Sequence, residues 1–315
     1  MISSWVLVAS AMLPRIWVMD GQDCPPMPVP RAGYIAGVIS GKLVVAGGSY
    51  WKDGKVITSA RTDSFDPKHN RWEAGPELPG PRSNGGSAVY HEDLYSFGGV
   101  NGGAALRETV RLHNGVWQMA PEAALPESRM YPLTVVLEDA IYVLGGLARA
   151  GDYATASNKL WRWQPEIGWK ELPPLPGPPR FIAACVAHQG KLFVFGGATV
   201  DNQSVRNLDD AYVYDPGPVQ WKWLGKLPMA RRAWWAVSVK TGILLLGGYS
   251  QDFSAEIYEY EPDSRQIRKV GTLPPALADA KFFAIGDRLW VAGGETQPKV
   301  RSPWTFDLKL SRGEP

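Results

Sequence analysis

Residues 191–197 read Lys191-Leu192-Phe193-Val194-Phe195-Gly196-Gly197, a short apolar run that stops at a Gly-Gly pair. The same figure recurs at Leu43 to Ala46 before Gly47-Gly48, at Leu94 to Phe97 before Gly98-Gly99, and at Ile141 to Leu144 before Gly145-Gly146. It returns at Ile243 to Leu246 before Gly247-Gly248 and at Leu289 to Ala292 before Gly293-Gly294. Successive first glycines are separated by 51, 47, 51, 51 and 46 residues. A fixed period of this length, in units made of short strands, marks a propeller or solenoid. One such unit cannot bury both faces of its own sheet, so the units must stack on one another.

Other landmarks keep register with the glycines. Arg31, Arg82, Arg129, Arg180 and Arg231 each stand sixteen residues before the first Gly of their pair, and Leu277 holds the sixth such place. Leu-Pro signals precede most of them, as at Leu78-Pro79, Leu125-Pro126, Leu175-Pro176 and Leu227-Pro228. An aromatic strand ends in a turn at Phe65-Asp66-Pro67, Tyr214-Asp215-Pro216 and Tyr260-Glu261-Pro262, and a Trp follows in most units: Trp72, Trp117, Trp169, and Trp221 or Trp223. Gly-Gly, aromatic-Asp, Trp and Pro-Arg in this order resemble the kelch repeat over nearly the whole chain. The resemblance implies an all-β fold, a six-bladed kelch β-propeller with four-stranded antiparallel blades.

The residues support that reading independently. Each unit offers four stretches rich in Val, Ile, Tyr, Phe and Trp, separated by Gly, Pro, Asn and Asp. The first stretch is small, as at Ala36-Gly37, Gly85-Gly86 and Ala183-Ala184, which suits strands crowded about an axis. After Gly293-Gly294 only one further strand is visible, around Trp304-Thr305-Phe306-Asp307, so the sixth blade lacks its outer strand. A strand from the N-terminus is expected to close the ring and remove the open edge. Ile16-Trp17-Val18-Met19 is the preferred donor, because the following Pro28-Val29-Pro30-Arg31 matches later units, and Trp5-Val6-Leu7-Val8 competes with it.

Composition narrows the function classes. One propeller, residues 15–315, uses the chain, and residues 1–14 read as an N-terminal arm or a signal segment. A signal would place the protein in the periplasm or outside the cell; without one it is expected in the cytoplasm. The apolar stretch Trp5 to Leu13 is too short to span a bilayer. A formal charge of +2 with no basic run argues against nucleic-acid binding. His69, His91, His113 and His188 are scattered, and with Cys24 and Cys185 form no metal or disulfide framework. That spread argues against copper radical chemistry, and no metal or cofactor is expected. A monomer is expected.

Two kinds of site remain. In a propeller of this kind the registered arginines, Arg31, Arg82, Arg129, Arg180 and Arg231, ring one mouth of the channel or lie just beneath it. They either serve the repeat itself or make the mouth electropositive toward carboxylates. The loops after each Gly-Gly are irregular, and Tyr50, Trp51 and Tyr249 could stack a sugar ring there. The last of these loops reads Gly294-Glu295-Thr296-Gln297-Pro298-Lys299-Val300-Arg301. It resembles the Gly-Glu-x-x-Pro-x-x-Arg stretch of bacterial sialic-acid mutarotases, although it lies in a different blade from the family's. That resemblance implies Glu295 as acid/base and Arg301 as holder of a substrate carboxylate, in a mutarotase or epimerase of acidic sugars. A non-catalytic propeller binding a glycan or an acidic peptide at the mouth is the alternative. Lys281 is the odd residue of the sixth blade, at a place held elsewhere by Ile35, Gly86, Leu133, Ala184 and Trp235.

Overall fold

The computed structural model describes residues 24–309. Both candidate closing strands, Ile16–Met19 and Trp5–Val8, and the segment 1–14 lie outside the described residues. Five four-stranded antiparallel sheets and one three-stranded sheet follow one another along the chain. Blade one comprises Ile35–Ile39, Lys42–Ala46, Thr62–Asp66 and Arg71–Ala74, paired in that order. The order repeats through blade five, which ends in Gln266–Thr272. Blade six contributes Phe282–Ile285, Arg288–Ala292 and Thr305–Lys309 among the described residues. The innermost strands touch in cyclic order, and Phe282–Ile285 returns to Ile35–Ile39, so six blades close a ring.

Burial explains the sequence pattern. The second strand of each blade is covered on both faces, so Ile141, Val143, Leu144 and Ile243 to Leu246 are fully buried and need no polar alternation. The tryptophans bind each blade to the one before it. Trp117 Nε1 donates to Thr62 Oγ1 (3.0 Å), Trp221 Nε1 to the Pro173 carbonyl (2.9 Å), and Trp72 Nε1 to Thr305 Oγ1 across the closure (3.2 Å).

The glycine pairs and the arginines prove to be two halves of one joint. The amide of the second glycine donates to the carbonyl of the next blade's registered residue. Gly48 donates to Arg82 (2.8 Å), Gly99 to Arg129 (2.7 Å), Gly146 to Arg180 (2.9 Å), Gly197 to Arg231 (2.8 Å) and Gly248 to Leu277 (2.7 Å). Gly294 donates to Arg31 (3.0 Å), which completes the circle. The first glycine lies under that same carbonyl. At Gly47, φ is +62°, and a Cβ would stand 2.3 Å from the Arg82 oxygen. Only glycine fits such a place.

Candidate functional site

The five registered arginines are not at the mouth; they are buried inside the blades, where the fold itself engages their guanidinium groups. Arg31 pairs with Asp63 (2.7 Å) and bonds the Arg61 carbonyl, and Arg82 bonds the carbonyls of Ser96, Gly98 and Glu108. Arg129 meets Glu127 (2.8 Å) and lies over the Trp161 ring (4.7 Å). Arg180 forks onto both oxygens of Asp210 (2.8 and 3.0 Å), and Arg231 pairs with Glu256 (2.8 Å). The physical reason is the joint just described: the residue that offers its carbonyl to a neighbouring blade sends its side chain back under its own Gly-Gly turn. Arg180 Nη1 bonds the Gly196 carbonyl at 2.9 Å, for example. The expected ring of mouth cations is therefore corrected to a ring of structural cations.

What rims the mouth lies two residues further on. Gly33, Asn84, Tyr131, Ile182, Ala233 and Asp279 occupy equivalent places and all have φ between +47° and +62°. This conformation turns the backbone toward the neighbouring blade. The amide of Asn84 bonds the Gly33 carbonyl (2.6 Å), Tyr131 bonds Asn84, Ala233 bonds Ile182 and Asp279 bonds Ala233 (each 2.8 Å). Five unlike side chains and a glycine thus occupy equivalent places around the mouth, which is where a symmetric scaffold acquires chemical asymmetry.

A cavity of about 340 Å³ opens here, with Asn84, Tyr131, Arg232, Tyr249, Asp279 and Glu295 among its lining residues. Glu295 comes to it through a bridge between Ala278 and Glu295, and Tyr249 through the equivalent bridge to Arg232. Arg301 faces Glu295 directly across the hairpin of Glu295–Gln297 and Val300–Arg301 and forms an ion pair with it. Its Nε and Nη2 reach across the blade closure to the carbonyl and hydroxyl of Ser49 (3.0 and 3.2 Å). Arg232 stacks on the Tyr249 ring at 4.5 Å and donates to Asn207 Oδ1 (2.6 Å). Burial pushes the Asp279 carboxyl above the ordinary range, against the pull of Lys281, Arg301 and the Gly33 amide. Burial lowers the Arg301 guanidinium, with Asp279 and Tyr131 opposing.

Beneath the mouth the channel narrows to a cavity of about 90 Å³ that shares Asn84, Tyr131, Ile182, Ala233 and Asp279 with the one above. Lys281 lines it, with burial pushing its amine down to about 8 against the raising effect of Asp279.

Of the residues expected from sequence, Glu295, Arg301 and Tyr249 come together on the mouth cavity. Tyr50 and Trp51 do not. Their hairpin, Ser49–Lys52 with Lys55–Thr58, gives Ser49 to the wall, while Trp51 packs under Lys299 (5.0 Å). The residues missed at first reading are Arg232, Tyr131 and Asn84. The signal available was their fixed offset from the registered arginine. His188 is buried and bonds Ser238 Oγ (2.8 Å), and Cys185 is a free thiol. Among the described residues no three His, Cys, Asp or Glu side chains cluster as metal ligands, and no helix is long and apolar enough to cross a membrane.

Fold and joints together define a six-bladed β-propeller built of kelch repeats. The kelch motif is matched directly over residues 179–228. Beta-scruin of Limulus polyphemus is 23% identical over 268 residues, 81% of this chain and 29% of that protein. Human kelch-like protein 15 is 23% identical over 291 residues, 85% of this chain and 46% of that protein. The chain thus spans less than half the length of these curated relatives. The solved structure of YjhT superposes with a TM-score of 0.75 at 16% identity, covering 90% of this chain and 95% of that one, which speaks to fold.

Proposed function

We propose that the chain is a mutarotase or epimerase of acidic sugars that works at the mouth cavity. The observation that carries this reading is the Glu295–Arg301 pair on the wall of a cavity of about 340 Å³, beside Tyr249 and Asp279. That volume lies at the lower end of the range of small-molecule sites and suits a monosaccharide. Tyr249, held by Arg232 and by an edge contact with Phe253 (5.3 Å), offers a fixed ring face to the apolar side of a sugar.

Anomer exchange needs one proton removed and another delivered. In the proposed step the Glu295 carboxylate takes the proton of the anomeric hydroxyl. The carbon–ring oxygen bond breaks, its electron pair leaves with the ring oxygen, and the anomeric carbon becomes a carbonyl. Asp279, whose burial favours the protonated form, delivers a proton to that oxygen. Rotation and the reverse sequence close the ring with the opposite configuration. Arg301 is engaged by Ser49 and Glu295, so its part in this scheme is to hold Glu295 in place, rather than to hold the substrate carboxylate.

The alternative is a propeller that grips a glycan or an acidic peptide at the same mouth without chemistry. The names of the curated relatives, scruin and kelch-like protein, describe no sugar chemistry. Saturation-transfer NMR with anomer exchange read in the same tube separates the two. Exchange of N-acetylneuraminate is expected to fall about 10²- to 10⁴-fold in E295Q, as for loss of an acid–base group, while binding persists. Unchanged exchange would remove Glu295 from the mechanism, and binding without exchange in the wild type would favour the alternative.

A further inference from the structure

Lys281 is a buried cation that the proposed chemistry does not use. Its counterparts in the other blades are Ile35, Gly86, Leu133, Ala184 and Trp235, none of them charged. An ammonium carries three donors. One reaches Ser87 Oγ at 2.8 Å, and the rings of Trp235 and Tyr34 stand at 5.6 and 5.8 Å from Nζ. No carboxylate of the described residues makes an ion pair with it, and Asp279 is the charged group that acts on it. Burying a cation in that state is costly. The two mouth arginines, by contrast, already hold partners: Arg301 has Glu295 and Ser49, and Arg232 has Asn207 and the face of Tyr249.

Ser87 is prepared in the same way. Its carbonyl accepts from Thr134 Oγ1 (2.7 Å), which fixes the strand, and its hydroxyl oxygen accepts from the Ala36 amide (3.2 Å) and from Lys281. The hydroxyl hydrogen remains available to a ligand oxygen. Both groups line a cavity of about 90 Å³ that communicates with the mouth through Asn84, Tyr131, Ile182, Ala233 and Asp279. That space is the size of a carboxylate with a water or two.

We infer that Lys281, with Ser87, is the anchor for the carboxylate of an acidic sugar, which enters the channel below the mouth while the ring stays beside Tyr249. This rests on the reading of the mouth as an acidic-sugar site. It moves recognition of the charge from the rim to the axis of the propeller. It also places the ligand carboxylate beside Asp279, so Lys281 must outweigh that neighbour, and a protonated Asp279 favours binding.

The test compares N-acetylneuraminate with its methyl ester, which lacks the charge and carries one added methyl group, on wild type, K281Q and S87A by NMR titration; the variants show how much of any preference comes from the charge. The wild type is expected to prefer the acid by about 10- to 100-fold, as for a charge-assisted hydrogen bond, and K281Q to lose that preference. S87A keeps the cation and is expected to lose part of the preference, which carries the test if K281Q does not fold. Equal wild-type affinity for acid and ester, no binding of either, or an undiminished preference in K281Q would overturn the anchor. Anomer exchange in the same samples separates the two ideas. Exchange with an undiminished preference in K281Q defeats the anchor alone, and a Lys281-dependent preference without exchange defeats the catalytic reading alone.

Discussion

At the scale of the residue, Lys281 and Arg180 show two ways of burying a cation. Arg180 is fully covered, yet it forks onto Asp210 and bonds the Gly196 carbonyl, so its charge is compensated within the fold. Lys281 has one hydroxyl and two rings, and its amine is held near 8 in the native state against 10.5 when exposed. The sign of the linkage follows from the protons. Between about pH 8 and 10.5 the unfolded chain binds a proton that the native chain has released, so stability rises with pH through that window. Below it the penalty is constant, at most about 3 kcal/mol for a displacement of this size. K281Q is therefore expected to melt above the wild type at pH 7, with the gain shrinking as the pH rises past 8 and vanishing near 10.5. Melting curves at pH 7, 9 and 10 check this. A K281Q that melts below the wild type at pH 7 would mean that the ammonium stabilises the fold.

At the scale of the element, the Gly-Gly turn carries the interblade joint. Gly47 and Gly54 both have positive φ, +62° and +74°, but a Cβ on Gly54 meets nothing within 4 Å while one on Gly47 meets the Arg82 carbonyl. G54A is expected to cost about 1 kcal/mol, the backbone strain alone. G47A should cost several times that, because the neighbouring backbone must move as well, and chemical denaturation reads the difference. Equal costs would mean that the joint yields freely. This contrast also explains what was legible in the chain. Gly-Gly and the arginines repeat because every blade needs the same joint, so they could be read without a structure, down to the count of six blades. Their meaning could not. Spacing alone leaves open whether an arginine points into the channel or under its own turn, and the hydrogen bonds decide for the turn. The mouth circle was less legible still. Tyr131, Ile182 and Ala233 are residues that rarely take positive φ, so nothing in their type announces the conformation. Glu295 and Arg301 were singled out by the resemblance of their loop to a family motif, and the repeat itself says nothing of them.

At the scale of the whole molecule, blade six closes on blade one through side-chain and backbone bonds, and the Glu295–Arg301 wall of the candidate site lies on that seam. The Arg31 carbonyl accepts from Gly294, the Met27 amide donates to Pro303 (2.8 Å), and Arg301 reaches Ser49. Tyr34 is the innermost tie. Its hydroxyl donates to the Ala292 carbonyl at 2.5 Å and accepts from the Lys281 amide at 3.1 Å. In Y34F both backbone groups lose their partner in a buried setting, an expected cost of about 2–3 kcal/mol. Because these bonds hold one seam, the loss should concentrate there. Hydrogen exchange is expected to speed first in Ile35–Ile39 and Phe282–Ile285, while Ile141 to Leu144 in blade three keep their protection. An acidic sugar that contacts both sides of the seam should restore part of the protection. A uniform loss in all six blades would instead mean that the ring opens only as a unit, with the site no weaker than the scaffold that carries it.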